Sequence, residues 1–289
     1  MTETVDVVGV VGAGFMGSGI AQSAAAAGKR VILHEPTSEP LDRSRAALEE
    51  ALARSVEKGR LSRDDADATA ARITYTTELA ELAGAGAVIE AVFEDRDVKQ
   101  GLFARLDDAL PGAAFLASNT SSIRIEELAQ ATARPERVVG LHFFSPVPVM
   151  KLVEIVASPQ TAPETIAAAE NLAREIGKDP VRGPDRAGFI VNALLIPYLA
   201  DAIRMLEAGL ASAEDIDTGM TLGCGHPMGP LALCDFIGLD VVEAVCVTLH
   251  EELGEARYAP PELLRSLVAK GRLGRKSGHG FYDHAGGPR

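Results

Sequence analysis

Tryptophan is absent from this chain, and aromatic residues make up only 4% of it. A core built on large rings is therefore excluded, and with 47% of residues hydrophobic the interior must rest on Ala, Val, Leu and Ile. Cys224, Cys234 and Cys246 lack a C-x-x-C spacing and all fall in the last third, which argues against a disulfide framework and for reduced, mostly buried thiols. No apolar run approaches the roughly 18 residues needed to cross a bilayer. The start, Met1-Thr2-Glu3-Thr4, carries no basic region, so a cytoplasmic protein without a membrane partner is expected. Positive charge is scarce as well: 28 basic against 41 acidic residues leave a net charge of −13. Nucleic acid is disfavoured as a partner, because no cationic surplus exists to replace phosphate counterions. Any site for an anionic ligand must be made locally positive by a few lysines and helix N-termini. No metal site is expected. A length of 289 residues suits one large or two modest domains.

What is present begins at once. Gly12-Ala13-Gly14-Phe15-Met16-Gly17 follows directly on the apolar run Val5-Asp6-Val7-Val8-Gly9-Val10-Val11. In a buried strand that turns into a helix, the first Gly makes the tight turn and the second lets backbone approach a pyrophosphate. The third lets helix and strand pack closely, with the helix's positive end facing the anion. Glu35 lies 18 residues beyond Gly17, at the end of Arg30-Val31-Ile32-Leu33, where a carboxylate can accept hydrogen bonds from ribose hydroxyls. It would repel the 2′-phosphate of NADP, and Pro36, Thr37 and Ser38 supply no Arg to offset that. The cofactor expected is NAD. The bland alternative is a glycine-rich turn with no ligand.

Residues 40–71 are charged and Ala-rich at helical spacing, which predicts a helix pair with a stop at Gly59 and a start at Ser62. Strand-like runs recur at 87–92, 114–117 and 137–141, separated by helical segments. Residues 150–156 read as another strand, 163–177 as a helix and 178–182 as a last short strand. Only helices are expected beyond Ala187: 189–207, 213–222, 231–252 and 262–269. The pattern is that of an α/β, Rossmann-type doubly wound, mainly parallel sheet with a helical insert, followed by an all-α C-terminal domain. Gly183-Pro184-Asp185-Arg186 is the expected boundary, dividing the chain into 1–186 and 187–289.

Three stretches put polar side chains where a core strand or helix should have none. Ser118-Asn119-Thr120-Ser121-Ser122 directly follows an apolar strand, at the carboxyl end where doubly wound sheets bind ligands. The same residues are good helix N-caps, so a capping role stays open. His142 stands at a strand end, and Glu154 lies twelve residues on inside an apolar strand. A buried carboxylate is costly unless paired, and His142 is the obvious partner. Holding one imidazole nitrogen would leave the other free to act as general base. Asn192, within Phe189-Ile190-Val191-Asn192-Ala193-Leu194, needs a hydrogen-bond partner. That partner is a facing helix, the carbonyl freed by Pro197, or a substrate oxygen reached across an interdomain cleft.

Taken together, the chain resembles the 3-hydroxyacyl-CoA dehydrogenases, their 3-hydroxybutyryl-CoA dehydrogenase branch in particular. The motifs run in order: Gly12-Ala13-Gly14-x-Met16-Gly17-x-Gly19-Ile20-Ala21, Glu90-Ala91-x-x-Glu94, Ser118 to Ser122, His142-Phe143-Phe144, Gly188-Phe189-x-x-Asn192, His226-Pro227-Met228-Gly229-Pro230 and Lys276-Ser277-Gly278-x-Gly280-Phe281-Tyr282. The resemblance implies that His142 removes the 3-hydroxyl proton while hydride passes to NAD, with Glu154 orienting the imidazolium. Ser121 and Asn192 would hydrogen-bond the reacting oxygen and the thioester carbonyl. Glu94, Lys99, Asn119, Ser145 and Lys276 match positions near the nicotinamide, and Lys58 matches one that meets CoA. A homodimer formed through the C-terminal domain is also implied. Glu35 departs from the family's usual Asp, Ser145 from its frequent Asn, and Ala51 from a Ser that touches CoA in some members. Two other readings keep the hydride chemistry: a hydroxyacyl group on acyl carrier protein, or a sugar acid such as gulonate. A non-catalytic NAD-binding protein would have no need for Ser121, His142, Glu154 and Asn192 together.

Overall fold

The computed structural model describes residues 5–284. The chain divides into two compact units, one ending at Phe189 and the other beginning at Ile190. In the first, chain order is β1 (Val7–Val11), α1 (Phe15–Ala26), β2 (Arg30–His34), α2 (Ser38–Glu57), α3 (Arg63–Ala71), β3 (Ile73–Thr76), β4 (Ala87–Glu90) and α4 (Arg96–Ala109). There follow β5 (Phe115–Ser118), α5 (Ile125–Ala129), β6 (Val138–Phe143), β7 (Leu152–Val156), α6 (Pro163–Glu175) and β8 (Asp179–Gly183). The eight strands form one sheet in the order β3-β2-β1-β4-β5-β6-β7-β8. All neighbours are parallel except β6 and β7, which run antiparallel.

Residues alternate across this sheet with period two, as a strand covered on both faces requires. Phe115 and Ala117 of β5 join the cluster formed with α1, α2 and α6, whereas Leu116 joins the one formed with α4 and α5. Strand order reverses between β1 and β4, so the crevice beyond their carboxyl ends is the ligand position for this topology. The expected helix pair over 40–71 is α2 and α3; Gly59 turns the chain at φ +64°, and Ser62 Oγ accepts from Asp65 N at 3.1 Å to start α3. Strand β3 was not anticipated. Its four residues, Ile-Thr-Tyr-Thr, pair in parallel with β2 at the sheet edge, where so short a run leaves little periodicity to read.

The second unit holds α7 (Val191–Glu207), α8 (Ala213–Cys224), α9 (Pro230–Ile237), α10 (Leu239–Leu253) and α11 (Glu262–Ala269). The single helix expected over 231–252 is thus two helices. Gly238, at φ +106°, takes a conformation that no helix contains. Pro197 inside α7 frees the carbonyl of Ala193, and the Tyr258 hydroxyl donates to it at 3.2 Å. One of the bland partners considered for Asn192 is therefore taken. Cys234 and Cys246 are buried and Cys224 is exposed; burial pushes the Cys246 thiol up to about 11.

Two glycines in the first unit separate packing from propensity. A Cβ on Gly140 would lie 2.8 Å from Val156 Cβ and 2.9 Å from Ile125 Cδ1, whereas one on Gly101, within α4, would meet nothing within 4 Å. Gly140→Ala should cost about 1–3 kcal/mol through overpacking. Gly101→Ala should stabilise by about 0.5–1 kcal/mol. Thermal denaturation of both variants checks the pair; equal shifts would contradict the packing described for β6.

Candidate active site

The glycine loop closes over the end of β1. Gly12 has φ +105°, and a Cβ there would sit 2.5 Å from Ala91 O at the end of β4. A Cβ on Gly17 would run into Gly12 O at 1.8 Å, so that position holds helix and loop together. Gly14 is different: a Cβ there meets nothing within 4 Å. It precedes α1 without a side-chain cap, leaving a bare backbone approach to the positive helix end. Ala13 N donates to Glu35 Oε2 at 3.0 Å, which ties the acidic end of β2 to the loop. Phe15 is exposed at the helix start, and Met16 packs onto the core. These residues fit a dinucleotide diphosphate, and the Glu35 carboxylate beside the loop fits a ribose without a 2′-phosphate.

A charged network lies beneath the carboxyl ends of β4 and β5. Glu90 and Lys99 are 0% and 1% exposed, with Lys99 Nζ 2.6 Å from Glu90 Oε1 and 3.1 Å from Glu94 Oε2. Ser118 Oγ donates to Glu90 Oε2 at 2.6 Å. Glu94 Oε1 accepts from the Thr120 hydroxyl, from Ser121 N at 2.9 Å and from Ser122 Oγ at 2.9 Å. Desolvation would raise the Glu94 pKa, but the Lys99 charge and these hydrogen bonds outweigh it and hold the carboxyl below the usual range. Lys99 is thus deeply buried, and of its two carboxylate partners only Glu94 is partly exposed. The capping role left open for this stretch is taken in part from within it: Thr120 Oγ1 accepts from Ile123 N at 3.0 Å, while at the start of α5 itself the Asp185 carboxylate accepts from Ile125 N at 2.6 Å. Ser121 keeps a half-buried hydroxyl at the strand end. Asn119 Oδ1 accepts from Phe143 N at 2.9 Å, stitching the end of β5 to the residue after His142.

The antiparallel pairing of β6 with β7 sets His142 directly opposite Glu154. His142 Nδ1 lies 2.7 Å from Glu154 Oε2, with the two side chains 8% and 0% exposed. Nδ1 is thereby assigned to the carboxylate and Nε2 is the nitrogen left to exchange a proton. Phe144 and Phe189 flank the imidazole at centroid distances of 4.6 and 5.4 Å. The connecting turn contains a cis Ser145–Pro146 peptide and exposes Ser145. Lys178 pins this turn from below, donating to the carbonyls of Val147 and Met150, the latter at 2.9 Å. Burial, with some help from Lys151, lowers the Lys178 pKa. Sequence reading placed Lys178 in a strand and missed this role; the buried contact spans about thirty residues and has no local signature.

Other expected site residues are spread more widely. A groove of about 590 Å³ runs between the start of α1, one face of α2 and the Pro146–Pro148 turn, lined by Gly14, Gly19, Ala51 and Arg54 among others. Lys58 is exposed just beyond α2, four residues past Arg54 and so on the same helical face. Arg54, also missed from sequence, was signalled by that spacing. In the second unit, Asn192 is the second residue of α7 and half-buried, and Lys276 Nζ lies 2.6 Å from Asp240 Oδ2.

Residues 7–186 match the family model for the NAD-binding domain of 3-hydroxyacyl-CoA dehydrogenase, and residues 188–284 match the model for its C-terminal domain. The chain belongs to the 3-hydroxyacyl-CoA dehydrogenase family. A 3-hydroxybutyryl-CoA dehydrogenase of Mycobacterium tuberculosis is 47% identical over 286 residues, covering 98% of this chain and all of the relative. The human mitochondrial hydroxyacyl-coenzyme A dehydrogenase is 43% identical, covering 96% of this chain and 90% of the human protein. The crystal structure of (S)-3-hydroxybutyryl-CoA dehydrogenase from Ralstonia eutropha superposes with a TM-score of 0.92 at 42% identity, covering 97% and 99% of the two chains. Family membership makes NAD the cofactor of the first unit.

The lowered Glu94 pKa has a measurable sign. A carboxyl depressed in the folded state contributes stability above its unfolded pKa and loses it as pH falls through the folded one. The Tm gap between the unmodified protein and Glu94→Gln should therefore be widest near neutrality and narrow as pH falls through the ordinary carboxylate range and below it. A gap independent of pH would contradict the Lys99-centred network.

Proposed function

We propose that this enzyme oxidises (S)-3-hydroxyacyl-CoA, with 3-hydroxybutyryl-CoA as the favoured substrate, to the 3-ketoacyl-CoA, and that it runs in both directions. The observation carrying this reading is the buried 2.7 Å contact of His142 with Glu154 at a strand end beside the Ser121 loop. Bound NAD supplies the hydride acceptor. His142 Nε2 takes the proton of the 3-hydroxyl, and Glu154 balances the imidazolium that forms and fixes the ring. The Ser121 hydroxyl hydrogen-bonds the reacting oxygen, and Asn192 the thioester carbonyl. Glu94, Asn119, Ser145 and Lys276 serve the nicotinamide half, Lys99 acting through Glu94, while Glu35 takes the adenosine ribose. Lys58 takes a phosphate of CoA, and Arg54 on the same face of α2 supports it. The division of labour follows 1–186 for the cofactor and 187–289 for substrate and for a homodimer, in the cytoplasm. These last assignments rest on family membership.

His142→Gln keeps the side chain's bulk and polarity but removes the base. It should lower kcat for acetoacetyl-CoA reduction with NADH by about 100-fold or more. The NADH KM should barely move. Near-normal turnover in steady-state assays would overturn the assignment.

The carrier can be tested separately. Lys58→Ala should raise KM for acetoacetyl-CoA several-fold, roughly the worth of one exposed charge contact, and leave KM for acetoacetyl-pantetheine unchanged. An equal effect on both thioesters, or on neither, would remove CoA recognition from Lys58.

A further inference from the structure

Phe189 has the only positive φ outside glycine among the described residues, +45°, directly after Gly188 at +80°. A side chain disfavours this left-handed region, so surrounding contacts must hold it there. Those contacts are specific. Phe189 N donates to Arg186 O at 2.9 Å, and Gly188 N donates to Ser121 O at 3.3 Å. Just upstream, the Asp185 carboxylate accepts from Ile125 N and Glu126 N at 2.6 and 2.9 Å. The segment 185–189 is thereby fastened to the loop that carries Ser121, before α7 begins at Val191.

The strained backbone delivers one side chain. The Phe189 ring is 2% exposed and meets the His142 imidazole edge-on, 5.4 Å between centroids at 61°. Phe144 meets the same imidazole at 4.6 Å and 57°. Glu154 fixes one ring nitrogen, but a single hydrogen bond leaves the imidazole free to tilt about the Nδ1–Oε2 line. Packing against two rings removes that freedom and keeps water from the imidazole.

We propose that Phe189 is a positioning residue for the dehydrogenase reaction: its left-handed backbone presses the ring against His142 and, with Phe144, sets the plane in which Nε2 meets the substrate hydroxyl. The inference rests on His142 being the proton acceptor. It adds that the segment leading out of the first unit holds Ser121 and His142 in one arrangement, so that Gly188-Phe189 is part of the site without touching the reacting atoms.

The test compares Phe189→Leu with Phe115→Leu, a fully buried phenylalanine at the opposite end of β5 from Ser118. Both variants lose an aromatic ring from the core, so both should lower Tm. Phe189→Leu should lower kcat with acetoacetyl-CoA and NADH about tenfold, because a misplaced base loses alignment. Its NADH KM and the kcat of Phe115→Leu should stay within about twofold of the unmodified enzyme. If Phe189→Leu keeps its kcat, or if both variants lose kcat alike, the proposal is overturned. His142→Gln separates the two readings: normal turnover there defeats the role of His142 itself, whereas an inactive His142→Gln beside a fully active Phe189→Leu defeats only the role of Phe189. Should Phe189→Leu fail to fold, NMR of the unmodified protein with ring-labelled histidine decides. Cross-relaxation between His142 and Phe189 ring protons supports the contact, and its absence overturns it.

Discussion

The contact between His142 and Glu154 exists because β7 runs against β6. In an otherwise parallel sheet, this one reversal brings a residue at the end of one strand opposite a residue within the next, across a turn of only eight residues. A parallel neighbour would have needed a long crossover and would have carried Glu154 to another register. Full burial of Glu154 then makes the pairing obligatory, since an isolated carboxylate in that position would cost several kcal/mol. Lys178, itself buried, holds the turn by its carbonyls and so preserves the register on which the pair depends.

A second buried charge network performs similar work on the other side of the crevice. Lys99 is shared between Glu90 and Glu94, and the exposed end of this chain of contacts gathers the backbone around Thr120, Ser121 and Ser122. Buried ion pairs are weak contributors to net stability, because desolvation consumes most of the Coulombic gain. Their value here is geometric: a single arrangement satisfies every oxygen, and that arrangement sets the strand ends. Asn119 then joins the two sides of the crevice by accepting from Phe143 N. Lys99 is thus matched by two carboxylates, Glu90 and Glu94, and its charge is neutralised within the network.

Much of this was legible in the sequence, and the legible part was local. The glycine loop, the acidic residue closing β2, the helix pair with its Gly59 stop and Ser62 cap, and the alternation of strands with helices all depend on neighbours within a few turns. His142 and Glu154 could be paired in advance only because a carboxylate inside an apolar strand demands a partner. The Ser118–Ser122 stretch could not be settled that way. Its hydroxyls look alike as caps or ligands; Thr120 proves to hold the following turn, and the start of α5 is capped by the Asp185 carboxylate, some sixty residues on.

By itself, then, the sequence determined the class of fold, the glycine loop and the places where polar side chains interrupt apolar strands. These follow from short-range periodicity and from the conformations that only glycine tolerates. Tertiary structure alone decided which polar groups meet. It broke the helix at Gly238, hid Lys99 beneath Glu94, set Lys178 under the β6–β7 turn and pressed Phe189 against His142. Each of these depends on burial, which removes water as a competing partner and forces a choice among distant groups that no local pattern records.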